Sequence, residues 1–401
     1  MLGAPVFRTA LFGPWSGNAL WTAARAVPSL DLCFADKKDL ICASSGRQLV
    51  TFARASSGTY VDSAGVLRTA ATDVPRFDHN PLTGESLGLL VEEQRTNLRL
   101  NSATYQPSSG GTPAAYTVDQ VAPDGTTTGS RQTAATPRTF EDYTGIANAL
   151  YTFSFYCRVT SGTAAFSIQL KNAASDTVIT SDTSPVATTA WRRFTISGTT
   201  AGATPGARVE LVGVVPGFVL WGAQLEAGAT ASSYTPTTTA AATRNADVPQ
   251  ITGTNFSSWY RQDVGAFYFS AKRDYPVPSG PIPRIYQVQG AIATDKIEQD
   301  FYSGGQVNFV RIPAGIQAEW YPAYFAQNGV ASSLALATNN IAGSSNGVIT
   351  GTDNVATLPT VTQMFIGCEA AGANVLNGHI RRLTYWPQRL DNATLQAITQ
   401  P

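Results

Sequence analysis

Asp295, Glu298 and Asp300, in the run Asp-Lys-Ile-Glu-Gln-Asp, are the carboxylates of this chain best spaced for chemistry. On a β-strand, Glu298 and Asp300 leave the same face about 7 Å apart, near the separation of an inverting pair that hydrolyses a glycosidic bond. Such a pair also needs one group to hold a proton where its partner does not, which spacing alone does not provide. A solvated strand face is the competing reading. Of the other carboxylate-bearing sites, Glu92-Glu93, Glu141-Asp142, Glu226 and Glu369, Glu92 and Glu93 read as ion-paired or hydrogen-bonded to the backbone and Glu226 as stabilising the turn to Tyr234.

Aromatic side chains make the stronger binding case, because sugar rings present C–H faces that pack on Trp and Tyr while amides and carboxylates meet the hydroxyls. The last third of the chain holds Trp259, Tyr260, Tyr286, Tyr302, Trp320, Tyr321, Tyr324, Tyr385 and Trp386. Within it, Glu319-Trp320-Tyr321-Pro322-Ala323-Tyr324 stands out. Adjacent aromatics on a strand point to opposite faces, so one of Trp320 and Tyr321 meets solvent. The candidate ligand-binding set is therefore Glu319, Trp320, Tyr321, Tyr324, Glu298 and Asp300, with no catalytic residue assigned.

Other chemistry is poorly supported. Only two histidines exist, His79 and His379. His79 reads as a loop residue flanked by an Arg76–Asp78 pair, and His379 as an exposed sheet residue opposite in facing to Ile380. No Gly-x-Ser-x-Gly elbow, His-Glu-x-x-His pair or phosphate-binding loop occurs, which disfavours triad, metalloprotease and nucleotide chemistry. The four cysteines, Cys33, Cys42, Cys157 and Cys368, include no Cys-x-x-Cys pair, so neither a zinc site nor any other cofactor is expected. Cys33 and Cys42 either close a short disulfide loop or remain thiols.

Composition narrows the class. Lys+Arg and Asp+Glu both number 27, so net charge is zero and nothing favours a nucleic-acid partner. Charged residues are 13% of the chain, about half the share of an ordinary soluble domain, while 43% apolar residues exceed what a disordered chain carries. A neutral, hydroxyl-rich surface suits a β-rich protein working outside cells. The apolar N-terminal residues Phe12, Trp15, Leu20 and Trp21 are broken by glycine and proline; they form neither a signal sequence nor a membrane span, and no membrane insertion is expected. The lack of a secretion signal fits a product released by lysis.

The elements that must hold these groups are strands. Tyr151–Val159, Ala165–Lys171, Trp191–Ser197, Arg208–Val215 and Phe218–Leu225 alternate with period two, as do Ala266–Lys272, Arg284–Val288, Ile297–Tyr302, Gln306–Ile312 and Glu319–Ala326. Asn328-Gly329 signals a turn. The run Thr235–Asp247 has no hydrophobic period and reads as a linker. Only one helix is expected, at the C-terminus, capped by Asp391 with Leu395 and Ile398 packing back. The fold class is mainly β: an N-terminal module over 1–100, then antiparallel β-sandwiches over 101–246 and 247–401.

Three stretches carry resemblances. In Thr51–Leu98 the sequences Arg54-Ala55-Ser56, Thr59-Tyr60-Val61-Asp62, Pro75-Arg76-Phe77-Asp78 and Gly88-Leu89-Leu90-Val91-Glu92-Glu93-Gln94-Arg95-Thr96-Asn97-Leu98 follow in an order that resembles a segment of bacteriophage virion proteins. The middle region, with Gln224-Leu225-Glu226-x-Gly228 and Ser233-Tyr234-x-Pro236-Thr237, resembles jelly-roll carbohydrate-binding modules. The end, Met364–Cys368 and Leu376–Trp386, looks like the last strands of a concanavalin-like (laminin-G-like) sandwich; such domains often hold calcium, yet no Asp-rich loop with metal spacing is present. These resemblances imply a tail or head fibre or spike of the virion. Residues 1–100 would attach to other virion proteins, the sandwiches would bind host-surface polysaccharide, and the chain would form a homo-oligomer, as a trimer. Phe12, Trp15, Leu20 and Trp21 are unusually apolar for a free terminus, and their burial against another virion protein or copy is expected. A polysaccharide depolymerase and a purely architectural protein are the alternatives.

Overall fold

The computed structural model describes residues 18–109, 112–113, 115–136, 138–143, 148–200, 206–273, 282–302, 305–321 and 329–400. It is mainly β, built from antiparallel sheets. Two compact units emerge, each assembled from separated segments: residues 1–55, 72–93 and 246–401 form one, and 56–71 with 94–245 form the other.

The first unit packs an eight-stranded sheet against a seven-stranded one. Strand Val264–Arg273 shows why. Phe267 and Phe269 enter the core between the sheets, while Ala266 and Tyr268 face the other way. Tyr286, Val288, Ile297, Val310 and Ala318 fill the core from the seven-stranded side. The outer face of the eight-stranded sheet is sealed by helices Ala19–Ala24 and Asn392–Ile398, whose Leu20, Leu395 and Ile398 are fully buried against Tyr268, Ala335 and Trp386. Helix Phe34–Lys37 packs on strands Ser86–Val91 and Gly378–Trp386, and Gly253–Ser257 lies by strands Val248–Thr252 and Gln363–Ile366. Among the described residues, none of these four α-helices is a main packing partner of strands Lys296–Tyr302, Gly305–Ile312 and Gly315–Trp320 at the far end of the seven-stranded sheet.

The second unit is a sandwich of a five- and a six-stranded sheet. Phe153, Phe155 and Cys157 from one sheet meet Ile168, Leu170, Val209 and Leu211 from the other, all fully buried. Hairpin Gly58–Val61/Leu67–Ala70 adds a small second core, in which Leu67 joins Trp221 and Tyr234. Thr59 Oγ1 donates to the Tyr234 carbonyl at 2.5 Å. Glu226 secures the following turn: its Oε1 accepts from Ser232 N at 2.9 Å and its Oε2 from Ser232 Oγ at 2.7 Å. Gly228 (φ +124°) lies against the Arg95 guanidinium, where any Cβ would collide.

The first hundred residues are not a module of their own, contrary to the division into 1–100, 101–246 and 247–401. Several of their strands are too short to bury an apolar face alone and complete larger sheets. Leu30–Leu32 and Ser86–Val91 both pair with Gly378–Trp386, and Thr51–Ala53 pairs with Val248–Thr252. Leu20 belongs to the core of its own unit, and Trp21 donates from Nε1 to Asp31 at 2.7 Å; Phe12 and Trp15 lie outside the described residues. The helix capped by Asp391 forms as expected, Thr394 N donating to Asp391 Oδ1 at 2.7 Å, but among the described residues three further short α-helices and a 3-10 turn at Ala370–Gly372 precede it.

Candidate functional site

The charged groups of the seven-stranded sheet are placed by strand alternation. On Lys296–Tyr302, Ile297 and Gln299 turn into the core, where Gln299 Nε2 bonds Asn308 Oδ1 and, at 3.4 Å, Ser332 Oγ. Lys296, Glu298, Asp300 and Tyr302 therefore share the opposite face. In register with them, Gln287 and Phe309 stand on either side of Glu298, Arg311 stands beside Lys296, and Glu319 stands beyond Phe309. A register shift between Arg284 and Tyr286 lets Ile285 and Tyr286 both bury fully while Arg284 joins the outer set.

These side chains form one ionic cluster. Arg284 Nη1 donates to Asp300 Oδ2 at 2.5 Å and its Nε to Glu369 Oε1 at 2.6 Å, with Glu298 Oε2 3.5 Å from the same guanidinium. Glu298 accepts from Lys296 Nζ and from Gln287 Nε2, both at 2.9 Å. Three carboxylates thus share two cations, which raises the pull of each on a proton. Asp300 is 2% exposed, its Oδ1 has no hydrogen-bond partner among the described residues, and burial together with the Glu298 charge pushes its carboxyl well above the usual range, against the pull of Arg284. At Glu369 burial acts in the same upward sense, but the Asn374 hydrogen bond and the Arg284 charge outweigh it and hold the group below its ordinary value.

Beside the cluster lie accessible groups. Tyr321 is 55% exposed and donates its hydroxyl to Glu319 Oε1 at 2.5 Å; that bond is the main cause of a hydroxyl pKa pushed up to about 12. The Tyr302 ring, itself exposed, lies 5.3 Å from the Tyr321 ring. Lys296 Nζ sits 5.4 Å from the centre of the Phe309 ring. Trp320 faces the other way, packs against the core and rests on Gly351, where a side chain would have no room. So of the candidate residues, Glu298 and Asp300 form a buried floor, Glu319 and Tyr321 an accessible edge, and Trp320 belongs to the interior. Tyr324 lies outside the described residues, as do residues 322–326 of the expected strand.

The charges of the Thr51–Leu98 stretch serve the fold. Asp247 binds Arg54 Nη1 through Oδ1 at 3.0 Å and Arg76 Nη2 through Oδ2 at 2.5 Å, and also accepts from Glu92 N at 2.9 Å. Arg76 Nη1 completes the set with Glu92 Oε2 at 2.8 Å. Arg54, Arg76 and Asp247 are almost wholly excluded from solvent. Asp247, at the end of the expected linker, is the hub that sequence reading missed; its Thr/Ala-rich surroundings hide it. Asp78 Oδ2 lies 3.0 Å from His379 Nε2, and His379, expected to be exposed, is 4% exposed because strand Ser86–Val91 pairs alongside it. His79 closes strand Phe77–His79 and is also buried.

All four cysteines are free thiols and buried. Cys33 and Cys42 line a cavity of about 320 Å³ with Asp31, Asp36, Lys37 and Asp39, and burial, with the Asp31 charge, pushes the Cys33 thiol up to about 12. Among the described residues no cluster of three or more His, Cys, Asp or Glu is arranged to hold a metal ion, and no helix is long and apolar enough to cross a membrane.

No protein-family model matches the chain, and no curated protein matches it. Among solved structures, it is similar to the CBM40 module of the Ruminococcus gnavus IT-sialidase bound to α2,3-sialyllactose, at 13% identity over 37% of this chain and 88% of that one, with a TM-score of 0.33. The NanB sialidase of Streptococcus pneumoniae overlaps at 10% identity, covering 37% of this chain and 26% of that one, with a TM-score of 0.29. A botulinum neurotoxin type C structure, described as depending on two ganglioside molecules for cell entry, overlaps at 12% identity over 39% of this chain and 41% of that one, with a TM-score of 0.30. These overlaps are partial and distant.

Proposed function

We propose that this chain is a glycan-binding structural protein of a bacteriophage particle, a tail or head fibre or spike, and that its recognition surface is the outer face of the seven-stranded sheet. One observation carries the binding half of this reading. At the end of that sheet where no described helix packs, exposed Tyr302 and Tyr321, half-buried Phe309 and the Glu319 carboxylate stand together beside a buried ionic floor. Aromatic faces with adjacent hydrogen-bonding groups are what a sugar ring requires. The ion pairs beneath fix the strands without mobile side chains, so little entropy is lost on binding. The virion half rests on the resemblance of Thr51–Leu98 to phage particle proteins. Weak single sites become useful on a particle through copy number, and a homotrimer would multiply them further.

Immobilised host capsule exposed to the purified protein tests the binding half by interferometry, with binding expected and reversible; no response at high protein concentration favours a purely architectural role. Labelled antibody on intact particles tests the virion half: label on a fibre, spike or collar supports it, and unlabelled particles reject it. The opposite displacement of the Asp300 and Glu369 carboxyls favours one other reading, a depolymerase working by acid–base catalysis. Burial of Glu298 and Asp300 opposes it, since a catalytic carboxyl must reach the bond. Release of reducing ends from capsule separates the two readings.

A further inference from the structure

Among the described residues, one cation on this sheet face makes no ion pair. Among the described residues, Arg311 makes no hydrogen bond or ion pair, and its Nε is buried without an acceptor. Its neighbours are already engaged. Lys296, in register beside it, is bound to Glu298; Arg284 is bound to Asp300 and Glu369; Glu319 accepts from Tyr321. Phe309 lies two residues away on the same face, and Ile316, 53% exposed, lies in register on the next strand. A buried N–H with no acceptor is costly, so this group is placed for an acceptor that comes from outside.

We infer that the ligand is an acidic glycan, and that Arg311 binds its sugar carboxylate while the ring packs on Phe309 and Ile316. The inference rests on the glycan-binding reading above. A guanidinium meets a carboxylate through two parallel N–H···O bonds, which neither a hydroxyl nor a neutral amide reproduces. One uncompensated positive charge calls for a monoanion; a phosphate monoester, near −2, would leave excess negative charge beside Glu298 and Glu369.

The test presents bacterial capsular polysaccharides containing uronic or nonulosonic acids, native and after carbodiimide reduction of the carboxyls, together with sulfated and neutral polysaccharides. Full-length wild type, Arg311→Gln and Arg311→Lys are compared. Wild type is expected to bind native carboxylated polymers at least about tenfold more tightly than their reduced forms. Arg311→Gln should lose that preference with its melting temperature unchanged, and Arg311→Lys should keep part of it. A preference that persists in Arg311→Gln, or one for sulfated or neutral polymers, overturns the inference while leaving glycan binding intact. Absence of binding to every polymer removes both. Should Arg311→Gln not fold, wild type decides: its affinity for native polymers should fall with added salt and that for reduced polymers should not, and equal salt responses reject the inference.

Discussion

Asp300 and Arg284 are joined at 2.5 Å through one carboxylate oxygen, while the other, Oδ1, is buried without a partner. The pair joins neighbouring strands and sets a carboxyl of raised pKa in the floor of the candidate site. Its titration has a defined sign. Burial raises the folded-state pKa of Asp300 above its unfolded value, so the folded chain keeps a proton that the unfolded chain releases. The stabilisation is fully present below about pH 4 and is lost as pH rises toward the raised value.

Asp300→Asn, which mimics the protonated acid, should therefore gain on wild type as pH increases. Thermal melts of both proteins from pH 4 to 8 check this: the difference in melting temperature grows with pH if Asp300 holds the proton. A constant difference would assign the proton elsewhere.

Asp247→Ala leaves two buried guanidiniums, Arg54 and Arg76, without their shared carboxylate. Breaking a buried pair from one side costs about 3–5 kcal/mol. Urea denaturation should show a loss of that size, and a change below about 1 kcal/mol, the ordinary worth of a surface pair, would mean the network is solvated.

A fragment of residues 247–401 should not fold. It lacks Leu30–Leu32 and Ser86–Val91, which pair with Gly378–Trp386, and Thr51–Ala53, which pairs with Val248–Thr252. Circular dichroism and ANS binding are the readouts: a cooperative melt without dye binding would contradict the segment assignment of this unit.

Much of this fold is legible in the sequence where large side chains alternate. Tyr151–Val159, Phe218–Leu225 and Ile297–Tyr302 emerge within two residues of their observed bounds, and Asp391 caps the terminal helix. Strands Val330–Ala337 and Ile341–Ser345 are not legible, because their interiors hold small hydroxyls. Ser332, Ser333, Ser344 and Ser345 are fully buried, and Ser332 Oγ donates to the Ser344 carbonyl across the strands at 2.9 Å. The shared face of Glu298 and Asp300 follows from alternation, but their burial does not, since Arg284 and Glu369 come from other segments. The way each unit is assembled from separated segments is equally invisible, because Leu30–Leu32, Thr51–Ala53 and Ser86–Val91 find partners some two hundred residues or more away.

The adjacent pair Trp320 and Tyr321 offers the most direct test of the central claim that the outer sheet face binds glycan. Affinity of the full-length protein for host capsule is measured together with melting temperature in Trp320→Ala and Tyr321→Ala. Tyr321→Ala should weaken binding about tenfold or more with an unchanged melting temperature. Trp320→Ala should lower stability by on the order of 2 kcal/mol, less than a fully buried Trp would lose, because its ring supports the core. Undiminished binding by a folded Tyr321→Ala protein that still recognises capsule would contradict the account.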